Sequence, residues 1–416
     1  MQVAHTKGAF DQLGLDPVLV RAVYGLGYEA PTPIQKEAIP PILAGRDVIG
    51  TAQTGSGKTA AFLLPILQRL MKQSPGRTRA LILSPTRELA AQIEVALRGL
   101  AKGTRIHGHA VYGGVGMSPQ EHALRSGVDV VVATPGRLLD HMSRRNVDFR
   151  GLQVLVLDEA DRMLDMGFLP DVRRIVDALP RERQTLLFSA TMAPEIETLS
   201  RTIMRNPVRI SVSPPHRPPS TIRHEVYPVP QHLKPSLLVR LLGREDMMSV
   251  LVFVRTKRRA DRVARQVGAA GFDVARIHGD RSQSQRETAL AGFRSGRHQV
   301  LIATDVAARG IDVEGISHVI NYDVPTVPTD YVHRVGRTAR MEATGEAITF
   351  VTAEDEGDLR GIERALGKPI PRVTLPDFDY RAPPPPKVRG HEGPRPRRAP
   401  QGARRNDRRR YRDSHR

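Results

Sequence analysis

A glycine-rich loop that ends in lysine and threonine constrains this chain more than any other feature. Residues 52–59 read Ala-Gln-Thr-Gly-Ser-Gly-Lys-Thr and lie between a short apolar run and a helical pattern. A loop of this kind wraps nucleotide phosphates when it joins a strand to the amino end of a helix. About a hundred residues later, a second apolar run ends on Asp158 and Glu159. A Mg-nucleotide hydrolase needs both features, a phosphate cradle and a carboxylate pair at a strand end.

The residue types in the loop suit the binding of phosphate and magnesium. Gly55 and Gly57 let backbone N–H groups approach phosphate, while Lys58 supplies a cation and Thr59 offers magnesium a hydroxyl. The predicted nucleotide contacts in this segment are Thr54, Gly55, Ser56, Gly57, Lys58, Thr59 and Ala60. Asp158 and Thr59 would hold the ion, largely through water, and Glu159 would activate the attacking water.

Short apolar runs alternate with helical patterns, which predicts an α/β protein with parallel sheets and crossover helices. The predicted strands are 47–50, 80–84, 129–133, 154–157, 185–188, 249–254, 299–303, 317–321 and 347–351. An internal repeat predicts two copies of one fold, because residues 81–87 resemble 251–257 and residues 131–134 resemble 301–304 at the same offset.

Composition divides the chain further. Residues 213–220 contain too much proline for a helix or a central strand and indicate a linker. The last 36 residues are rich in arginine and proline, with almost nothing to bury, which predicts disorder. The predicted organisation is a first domain at 1–210, a linker at 211–221, a second domain at 222–375 and a disordered basic tail at 376–416.

The charge balance favours nucleic acid as a partner. The chain carries 63 Lys and Arg against 44 Asp and Glu, a formal net charge of +19, and an excess of this size favours polyanions. The absence of cysteine excludes disulfides and thiolate metal sites. The sequence has neither a signal-peptide core nor an apolar run long enough to span a bilayer. We therefore expect a soluble, cytoplasmic protein.

Further motifs resemble those of the DEAD-box ATP-dependent RNA helicases over roughly residues 10–372. In chain order they are Gly27 to Gln35 with Phe10 upstream, the phosphate loop, Pro85 to Leu89, Gly113 with Gly114, Thr134 to Arg137, Asp158 to Asp161, Ser189 to Thr191, Gln283 with Arg286, Ala303 to Asp312, and His333 to Arg340. The short N-terminus, residues 162–168 and the Arg-rich tail are most similar to the bacterial RhlE type. The resemblance implies two tandem RecA-like domains and RNA-stimulated ATP hydrolysis, coupled to local unwinding of short duplexes or remodelling of RNA–protein complexes.

The resemblance also implies roles for residues outside the phosphate loop. Phe10 and Gln35 would contact adenine, Asp312 the ribose, and Arg337 with Arg340 would be arginine fingers that act with Lys58, Asp158 and Glu159. Thr86, Arg87, Gly114, Thr134, Arg137, Arg286 and Thr304 would bind the RNA backbone without reading sequence. Asp161, Ser189, Thr191 and His333 would couple hydrolysis to RNA binding. Ala339 departs from the glycine most common at its position in the family.

The implied cofactors are ATP and Mg²⁺, and the implied partner is RNA, with ribosomal precursors or RNA-decay proteins beside it. We expect a monomer that does not associate with membranes. Two alternatives remain open on the residues alone. One is a DNA-translocating helicase of the same superfamily, and the other is an RNA clamp or scaffold with vestigial ATPase residues. Stimulation of ATP hydrolysis by RNA, by DNA or by neither distinguishes them.

Overall fold

Two parallel β-sheets organise the chain. The computed structural model describes residues 8–52, 55–72, 76–212, 222–308, 313, 315–338 and 345–384. Residues 1–380 form one compact unit that holds both sheets. Every pairing between the named strands is parallel, which requires the crossover helices that the sequence predicts.

The first sheet contains seven strands: β1 Val48–Thr51, β2 Ala80–Leu83, β3 Gly108–Val111, β4 Val130–Ala133, β5 Val154–Asp158, β6 Gln184–Ser189 and β7 Val208–Ser211. Their spatial order is β3-β4-β2-β5-β6-β1-β7. The accompanying helices are α1 Pro17–Gly25, α2 Pro33–Leu43, α3 Lys58–Met71, α4 Arg87–Leu100, α5 Met117–Ser126, α6 Pro135–Ser143, α7 Ala160–Asp165, α8 Leu169–Asp177 and α9 Pro194–Ile203, with a 3₁₀ turn at Asp11–Leu13.

The second sheet contains six strands: β8 Ile222–Pro228, β9 Val250–Phe253, β10 Val274–Ile277, β11 Val300–Ala303, β12 His318–Asn321 and β13 Gly345–Val351. Their spatial order is β10-β11-β9-β12-β13-β8. The accompanying helices are α10 Lys234–Leu242, α11 Lys257–Ala269, α12 Gln283–Arg294, α13 Asp305–Ala308, α14 Pro328–Val335 and α15 Glu356–Leu366, with a 3₁₀ turn at Ala353–Asp355.

The two sheets repeat one topology. The order of β8 to β13 in the second sheet reproduces the order of β1 to β6 in the first, strand for strand. Local geometry repeats as well. Thr86 caps α4 by accepting a hydrogen bond from the backbone N–H of Leu89, and Thr256 caps α11 by accepting one from the N–H of Arg259. The prediction of two copies of one fold is confirmed.

All nine predicted strands are present, with ends that shift by up to two residues. The four strands that the sequence did not predict, β3, β7, β8 and β10, are the outermost strands of the two sheets. Central strands such as β5 are buried along their whole length, whereas β7 is buried at one of its four positions and β10 at two. Since an edge strand lacks a continuous apolar run, its sequence does not stand out from the loops around it.

The core lies on both faces of each sheet. In β5, Val154 and Val156 pack in a cluster with α3 and α4, whereas Leu155 and Leu157 pack on the opposite face with α8. This alternation follows from the two-residue period of a strand. It explains why the sequence shows unbroken apolar runs where both faces are covered.

In each sheet, the helix that follows the first strand in chain order begins on a lysine. Lys58 is the first residue of α3, which follows β1, and Lys234 is the first residue of α10, which follows the equivalent strand β8. Lys234 is 1% exposed. Its Nζ donates to the carbonyl oxygens of Tyr322 and Phe350 and to Asp355 Oδ2. The lysine of the second domain is therefore satisfied by its own domain.

The compact unit continues past the predicted start of the tail. It ends at Tyr380, where the tyrosine hydroxyl accepts a hydrogen bond from the backbone N–H of Leu375. The rings of Phe378 and Tyr380 meet edge to face, with centroids 4.8 Å apart. The prediction of disorder from residue 376 is therefore wrong for residues 376–380. Residues 385–416 and the predicted linker core at 213–220 lie outside the described residues.

Across the described parts of the chain, the helices are too short or too polar to cross a bilayer.

A buried ion pair ties the start of β2 to the start of β4. Arg79 Nη2 lies 2.5 Å from Asp129 Oδ1, with side-chain exposures of 6% and 2%. Arg79 Nη1 donates to the carbonyl oxygen of Leu70, and Asp129 Oδ2 accepts from the N–H of His107. The ion pair therefore joins the starts of β2 and β4 to the end of α3 and to the segment before β3.

We expect Asp129→Ala to lower the free energy of unfolding by about 3–5 kcal/mol, because it leaves the Arg79 guanidinium buried and unpaired. Denaturant unfolding measures the change. The matched control is Asp148→Asn, which breaks an exposed pair with Arg150 and should change stability by no more than about 1 kcal/mol. Equal effects of the two substitutions would contradict the structural role of Arg79–Asp129.

Candidate active site

The candidate residues of the first domain lie along one edge of its sheet. Parallel strands deliver their carboxyl ends to the same edge, and six of the seven strands end at a motif. In spatial order these ends lead to Gly113–Gly114, Thr134, Thr86, Asp158–Glu159, Ser189 and Ala52. The motifs predicted to bind RNA therefore occupy one half of the edge, beyond β3, β4 and β2. Those predicted to bind nucleotide, to catalyse hydrolysis or to couple hydrolysis to RNA binding occupy the other half, beyond β5, β6 and β1.

The phosphate loop turns through two glycines into α3. Gly55 and Gly57 have φ angles of 84° and 92°, in the left-handed region that only glycine adopts readily. Lys58 Nζ is buried and donates to the carbonyl oxygen of Ala52, 2.7 Å away. Gln35 Nε2 donates to the carbonyl oxygen of Gly57. The loop is therefore closed by its own lysine and tied to the amino end of α2.

Gln35 has a second structural role. Its Oε1 accepts a hydrogen bond from the N–H of Thr32 at the start of α2, which completes a capping box. Both polar atoms of the amide are thus already engaged within the chain. A side-chain Cβ at Gly57 would lie 2.5 Å from Gln35 Nε2. The close approach of the amide therefore requires glycine at this position.

The two carboxylates at the end of β5 sit at a sharp turn. Glu159 has φ 52° and ψ 53°, a left-handed conformation that costs a non-glycine residue roughly 1–3 kcal/mol. Asp158 and Glu159 are 2% and 4% exposed. Burial raises the pKa of Asp158, with Glu159 adding to the rise and Lys58 opposing it. A carboxylate held in this way is a strong ligand for a divalent cation, because a cation restores the ionised form.

Glu159 is held by a buried arginine. Arg162 Nη1 lies 2.6 Å from Glu159 Oε2, and the side chains are 2% and 5% exposed. Burial alone would raise the pKa of Glu159, but Arg162, Lys58 and Arg337 together lower it. These cations therefore favour the ionised form of Glu159. The last of these three cations belongs to the second domain, so the two domains meet at this carboxylate.

Asp161 joins the carboxylate motif to the loop after β6. Its Oδ2 accepts hydrogen bonds from the backbone N–H groups of Ala190 and Thr191, at 3.0 and 2.9 Å. The hydroxyl of Ser189 accepts from the N–H of Asp161. Burial would raise the pKa of Asp161, but Lys58, His333 and Arg162 lower it. The four residues predicted to couple hydrolysis to RNA binding thus act on one another through Asp161.

The second domain contributes the opposite wall of the cleft. One cavity is lined by Arg162 from the first domain and by Phe253, Asp305, Asp330, His333, Arg334 and Arg337 from the second. Arg334 is held by Asp305 and by Asn321 Oδ1. Burial, aided by Arg162, lowers the pKa of His333. Asp161 and Glu159 oppose this lowering of the His333 pKa, so the imidazole and the carboxylate motif interact electrostatically.

Two predicted RNA-contact arginines hold one glycine-rich loop. Gly114 has a φ of 81°, and a Cβ there would overlap the Arg87 guanidinium. Arg137 Nη1 and Nη2 both donate to the carbonyl oxygen of Val115. Thr134 precedes α6 as its amino cap. The structure brings these four residues together with Thr86 at the same end of the sheet.

An ion pair crosses from the first domain to the second. Arg286 Nη2 on α12 lies 2.6 Å from Glu88 Oε1 on α4, with side-chain exposures of 10% and 6%. Arg286 Nη2 also donates to the carbonyl oxygen of Ala307. Thr304, which follows β11, is 8% exposed. Arg286 was predicted to contact RNA, and the structure adds a carboxylate partner that the prediction did not include.

Several residues predicted to contact nucleotide are either buried or outside the described residues. Phe10 is fully buried and packs edge to face on Tyr24, so its ring offers no open face for an adenine. Thr54, Asp312, Arg340 and Ala339 lie outside the described residues. Ser56 and Thr59 lie at the amino end of α3 and are partly exposed, and Ala60 is buried behind them.

Comparisons with known proteins agree with this geometry. Residues 32–199 match the DEAD/DEAH box helicase family and residues 233–342 match the helicase conserved C-terminal domain. The DEAD-box ATP-dependent RNA helicase CshA of Bacillus licheniformis is 42% identical over 370 residues, which are 89% of this chain and 76% of CshA. The chain belongs to the DEAD/DEAH box helicase family. It is an ATP-dependent RNA helicase with two parallel-sheet α/β domains.

Two further proteins are similar to the helicase, one in sequence and the other in solved structures. The ATP-dependent rRNA helicase rrp3 of Emericella nidulans is 46% identical over 368 residues, 88% of this chain and 79% of rrp3. S. cerevisiae Dbp5 bound to RNA and ADP BeF3 is 33% identical and gives a TM-score of 0.80, covering 88% of this chain and 95% of Dbp5. A Dbp5 variant bound to nup159, a gle1 variant, ip6 and adp is 31% identical and gives 0.62, covering 88% and 97%. The TM-score is thus higher for Dbp5 bound to RNA and ADP BeF3 than for the Dbp5 variant bound to nup159, the gle1 variant, ip6 and adp.

Sequence reasoning missed two residues of the helicase site. Arg162 follows Glu159 at a spacing of three, so a cation one helical turn after the carboxylate was a usable signal. Glu88 sits within a motif that was assigned to RNA contact, and nothing in the sequence links it to Arg286, which lies 198 residues away. Only the folded arrangement reveals that pair.

We expect Arg162→Gln to shift the acid limb of the pH–kcat profile upward by about 1–3 pH units, because removing an adjacent cation raises the pKa of Glu159. RNA-stimulated ATP hydrolysis measured across pH checks this expectation, and Arg162→Lys should restore part of the shift. The control is Arg174→Gln, which removes an exposed charge from α8. A uniform loss of kcat without a shift would mean that Arg162 acts only on folding.

Proposed function

We propose that the helicase couples ATP hydrolysis to closure of its two domains, and that closure locally opens short RNA duplexes or remodels RNA–protein complexes. The observation that carries the proposal is the division of the charged groups around Glu159. Lys58 and Arg162 come from the first domain, whereas Arg337 comes from the second and also lowers the pKa of Glu159. A complete set of charges at this carboxylate therefore requires both domains.

In this proposal the first domain binds ATP and the metal. The residues of the phosphate loop, from Thr54 to Ala60, cradle the phosphates. Gln35 reads the adenine with the second N–H of Nε2 and the second lone pair of Oε1, which the bonds to Gly57 and Thr32 leave available. Asp158 and the Thr59 hydroxyl are hard oxygen donors, which suit Mg²⁺, and the raised pKa of Asp158 fits a carboxylate that a cation neutralises. Bound Mg²⁺ would offset the negative charge of the phosphates. Asp312 would complete the nucleotide site from the second domain.

Hydrolysis then requires a base and a charge stabiliser. Glu159 accepts a proton from the water that attacks the γ-phosphorus, and the bond to the bridging oxygen breaks to leave ADP and phosphate. Arg337 and Arg340 act as arginine fingers, an arrangement that contributes about 10³–10⁵ in rate in related phosphoryl transfers. Because these arginines belong to the second domain, hydrolysis is fast only in the closed form.

The coupling follows the hydrogen bonds around Asp161. This carboxylate holds the loop at Ser189–Thr191 and acts electrostatically on His333. A change at Asp158–Glu159 during hydrolysis is therefore transmitted both to the neighbouring loop and to the opposite domain. We propose that this connection reopens the cleft after phosphate is released.

RNA would lie across the half of the edge beyond β3, β4 and β2. Hydroxyl, backbone and guanidinium groups suit phosphates and sugars, so the contacts carry no sequence information, and the 2′-OH allows RNA to be distinguished from DNA. The proposed contacts are Thr86, Arg87, Gly114, Thr134, Arg137, Arg286 and Thr304. A strand held by both domains in the closed form would bend away from duplex geometry, which would separate a short duplex without translocation.

The biological setting is part of the proposal. The relative named as an rRNA helicase supports ribosomal precursor RNA as a substrate, with RNA-decay proteins as alternative partners. Residues 162–168 and the Arg-rich composition after residue 381 favour the bacterial RhlE-type subgroup. We propose a monomer that acts in the cytoplasm.

We expect single-stranded RNA to stimulate steady-state ATP hydrolysis and single-stranded DNA to have little effect at matched salt. Glu159→Gln should lower turnover by about 10²–10⁴ because it removes the base, while ATP-dependent RNA binding persists. Glu182→Gln, an exposed control, should behave as the unmodified chain. Equal stimulation by DNA would favour the DNA-translocating alternative, and no stimulation by either would favour the RNA clamp.

The Glu88–Arg286 pair tests closure itself. Glu88→Gln and Arg286→Met should each weaken RNA binding in the presence of a non-hydrolysable ATP analogue. Their double-mutant cycle should give a coupling energy of about 0.5–3 kcal/mol. A cycle on the exposed pair Glu197–Arg209 serves as the control. Additive effects at Glu88 and Arg286 would instead mean that Arg286 contacts RNA independently.

A further inference from the structure

Three metal-ligating side chains converge at the edge of the second sheet opposite the cleft. His318 is the first residue of β12, Glu346 is the second residue of β13, and Asp246 lies in the loop between α10 and β9. His318 and Glu346 are direct partners in the parallel register of the two strands. One ligand atom from each of the three residues lies within 4.8 Å of the other two. None of the steps proposed for ATP hydrolysis uses these residues.

Two atoms of this cluster are buried without a hydrogen bond. They are His318 Nε2 and Glu346 Oε2, and they face each other 3.3 Å apart. Asp246 Oδ2 lies 4.0 Å from the same Nε2. His318 is 4% exposed, so water does not reach its ring freely. The two atoms are within ion-pair distance, but neither makes a hydrogen bond of good geometry. A cation bound between them would satisfy both, which points to an absent ligand.

The hydrogen bonds around Ser317 define which ring nitrogen of His318 carries the proton. The Ser317 hydroxyl donates to the carbonyl oxygen of Ser249 and accepts from the N–H of the same residue. Its oxygen also lies 2.9 Å from His318 Nδ1. Since the hydroxyl proton is already used, Nδ1 must be the donor. In the neutral ring, Nε2 then presents its lone pair to the two carboxylates, as in a metal-ligating histidine.

The separations match a coordination sphere. Two ligands held about 2.0–2.2 Å from a zinc ion at the tetrahedral angle lie about 3.3–3.5 Å apart. The distance from His318 Nε2 to Glu346 Oε2, 3.3 Å, has this value. The 4.0 Å distance to Asp246 Oδ2 requires a small movement of a side chain that is half exposed and lies in a loop.

We propose that Asp246, His318 and Glu346 form a binding site for a divalent transition-metal ion, of which Zn²⁺ is the best match. One imidazole and two carboxylates are a ligand set that zinc accepts, with water completing the tetrahedron. The ion would join β12, β13 and the loop after α10. The site is structural, because it lies at the amino ends of the strands and away from the carboxyl ends that line the cleft.

Arg244 occupies the solvent side of the cluster and competes with the ion. Its Nη2 lies 2.5 Å from Asp246 Oδ2 and 3.9 Å from Glu346 Oε2. Arg223 Nη1 lies 3.5 Å from the other oxygen of Glu346, Oε1. The Arg244 side chain is 33% exposed and can turn into solvent when a cation replaces it. Arg244 therefore supplies the positive charge that the ion would bring.

The test is zinc binding to the full-length chain, freed of metal by a chelator and without nucleotide, measured by titration calorimetry. We expect one Zn²⁺ per chain. His318→Asn, Glu346→Gln and Asp246→Asn should each weaken its affinity at least about tenfold, whereas Arg244→Gln should strengthen it because the competing cation is gone. The matched control is Asp148→Asn, which breaks the exposed pair with Arg150 and should leave zinc affinity unchanged.

Cobalt provides a second readout. Co²⁺ should give the intense visible absorption of a tetrahedral complex with the unmodified chain, and this absorption should be lost with Asp246→Asn, whose position in a loop spares the fold. Zinc should also raise the Tm of the unmodified chain more than that of Glu346→Gln. Zinc affinity that all variants retain would overturn the proposal, as would a folded, metal-free chain that binds no zinc. Either result would leave the cluster as a histidine–carboxylate ion pair.

Discussion

The parallel arrangement of the strands is the constraint from which the rest of the helicase follows. Because every strand of the first sheet ends at the same edge, segments as distant in sequence as Ala52 and Ser189 become neighbours, and the N–H of Ala52 donates to the carbonyl oxygen of Ser189. From β2 the chain continues to β3 on one side of the sheet, and from β5 it continues to β6 on the other. The proposed RNA contacts and the proposed nucleotide contacts of the first domain lie on these two sides. The proposed division between RNA and nucleotide therefore follows from the strand order.

A second constraint concerns charge. Asp158, Glu159 and Asp161 are three acidic groups within four residues, all buried, and such a cluster is tolerated only if cations stand close to it. Lys58 and Arg162 provide part of this charge within the first domain, and Arg337 adds to it from the second. The left-handed turn at Glu159 is a local strain that the buried ion pair with Arg162 helps to maintain. The stability of this turn and the proposed catalytic role of Glu159 thus depend on the same contacts with cations.

Much of this arrangement was readable in the sequence, for identifiable reasons. The central strands are buried on both faces and appear as apolar runs, and the phosphate loop and the carboxylate pair carry their chemistry in adjacent residues. Edge strands such as β3 and β10 lack that signal. The position of Phe10 depends on packing against Tyr24, and the pairing of Glu88 with Arg286 depends on how the two domains meet. Neither leaves a local pattern that could be read beforehand.

The repeat of one topology in both domains has a consequence for how much work a single cycle can do. The lysine that would hold phosphate in the second copy, Lys234, is buried and bonded to two carbonyl oxygens and Asp355. In the described structure, Lys234 is therefore committed to contacts within the second domain. The one glycine-rich phosphate loop of the sequence lies in the first copy. In the proposed cycle each closure therefore uses one ATP, and the second copy supplies cations such as Arg337.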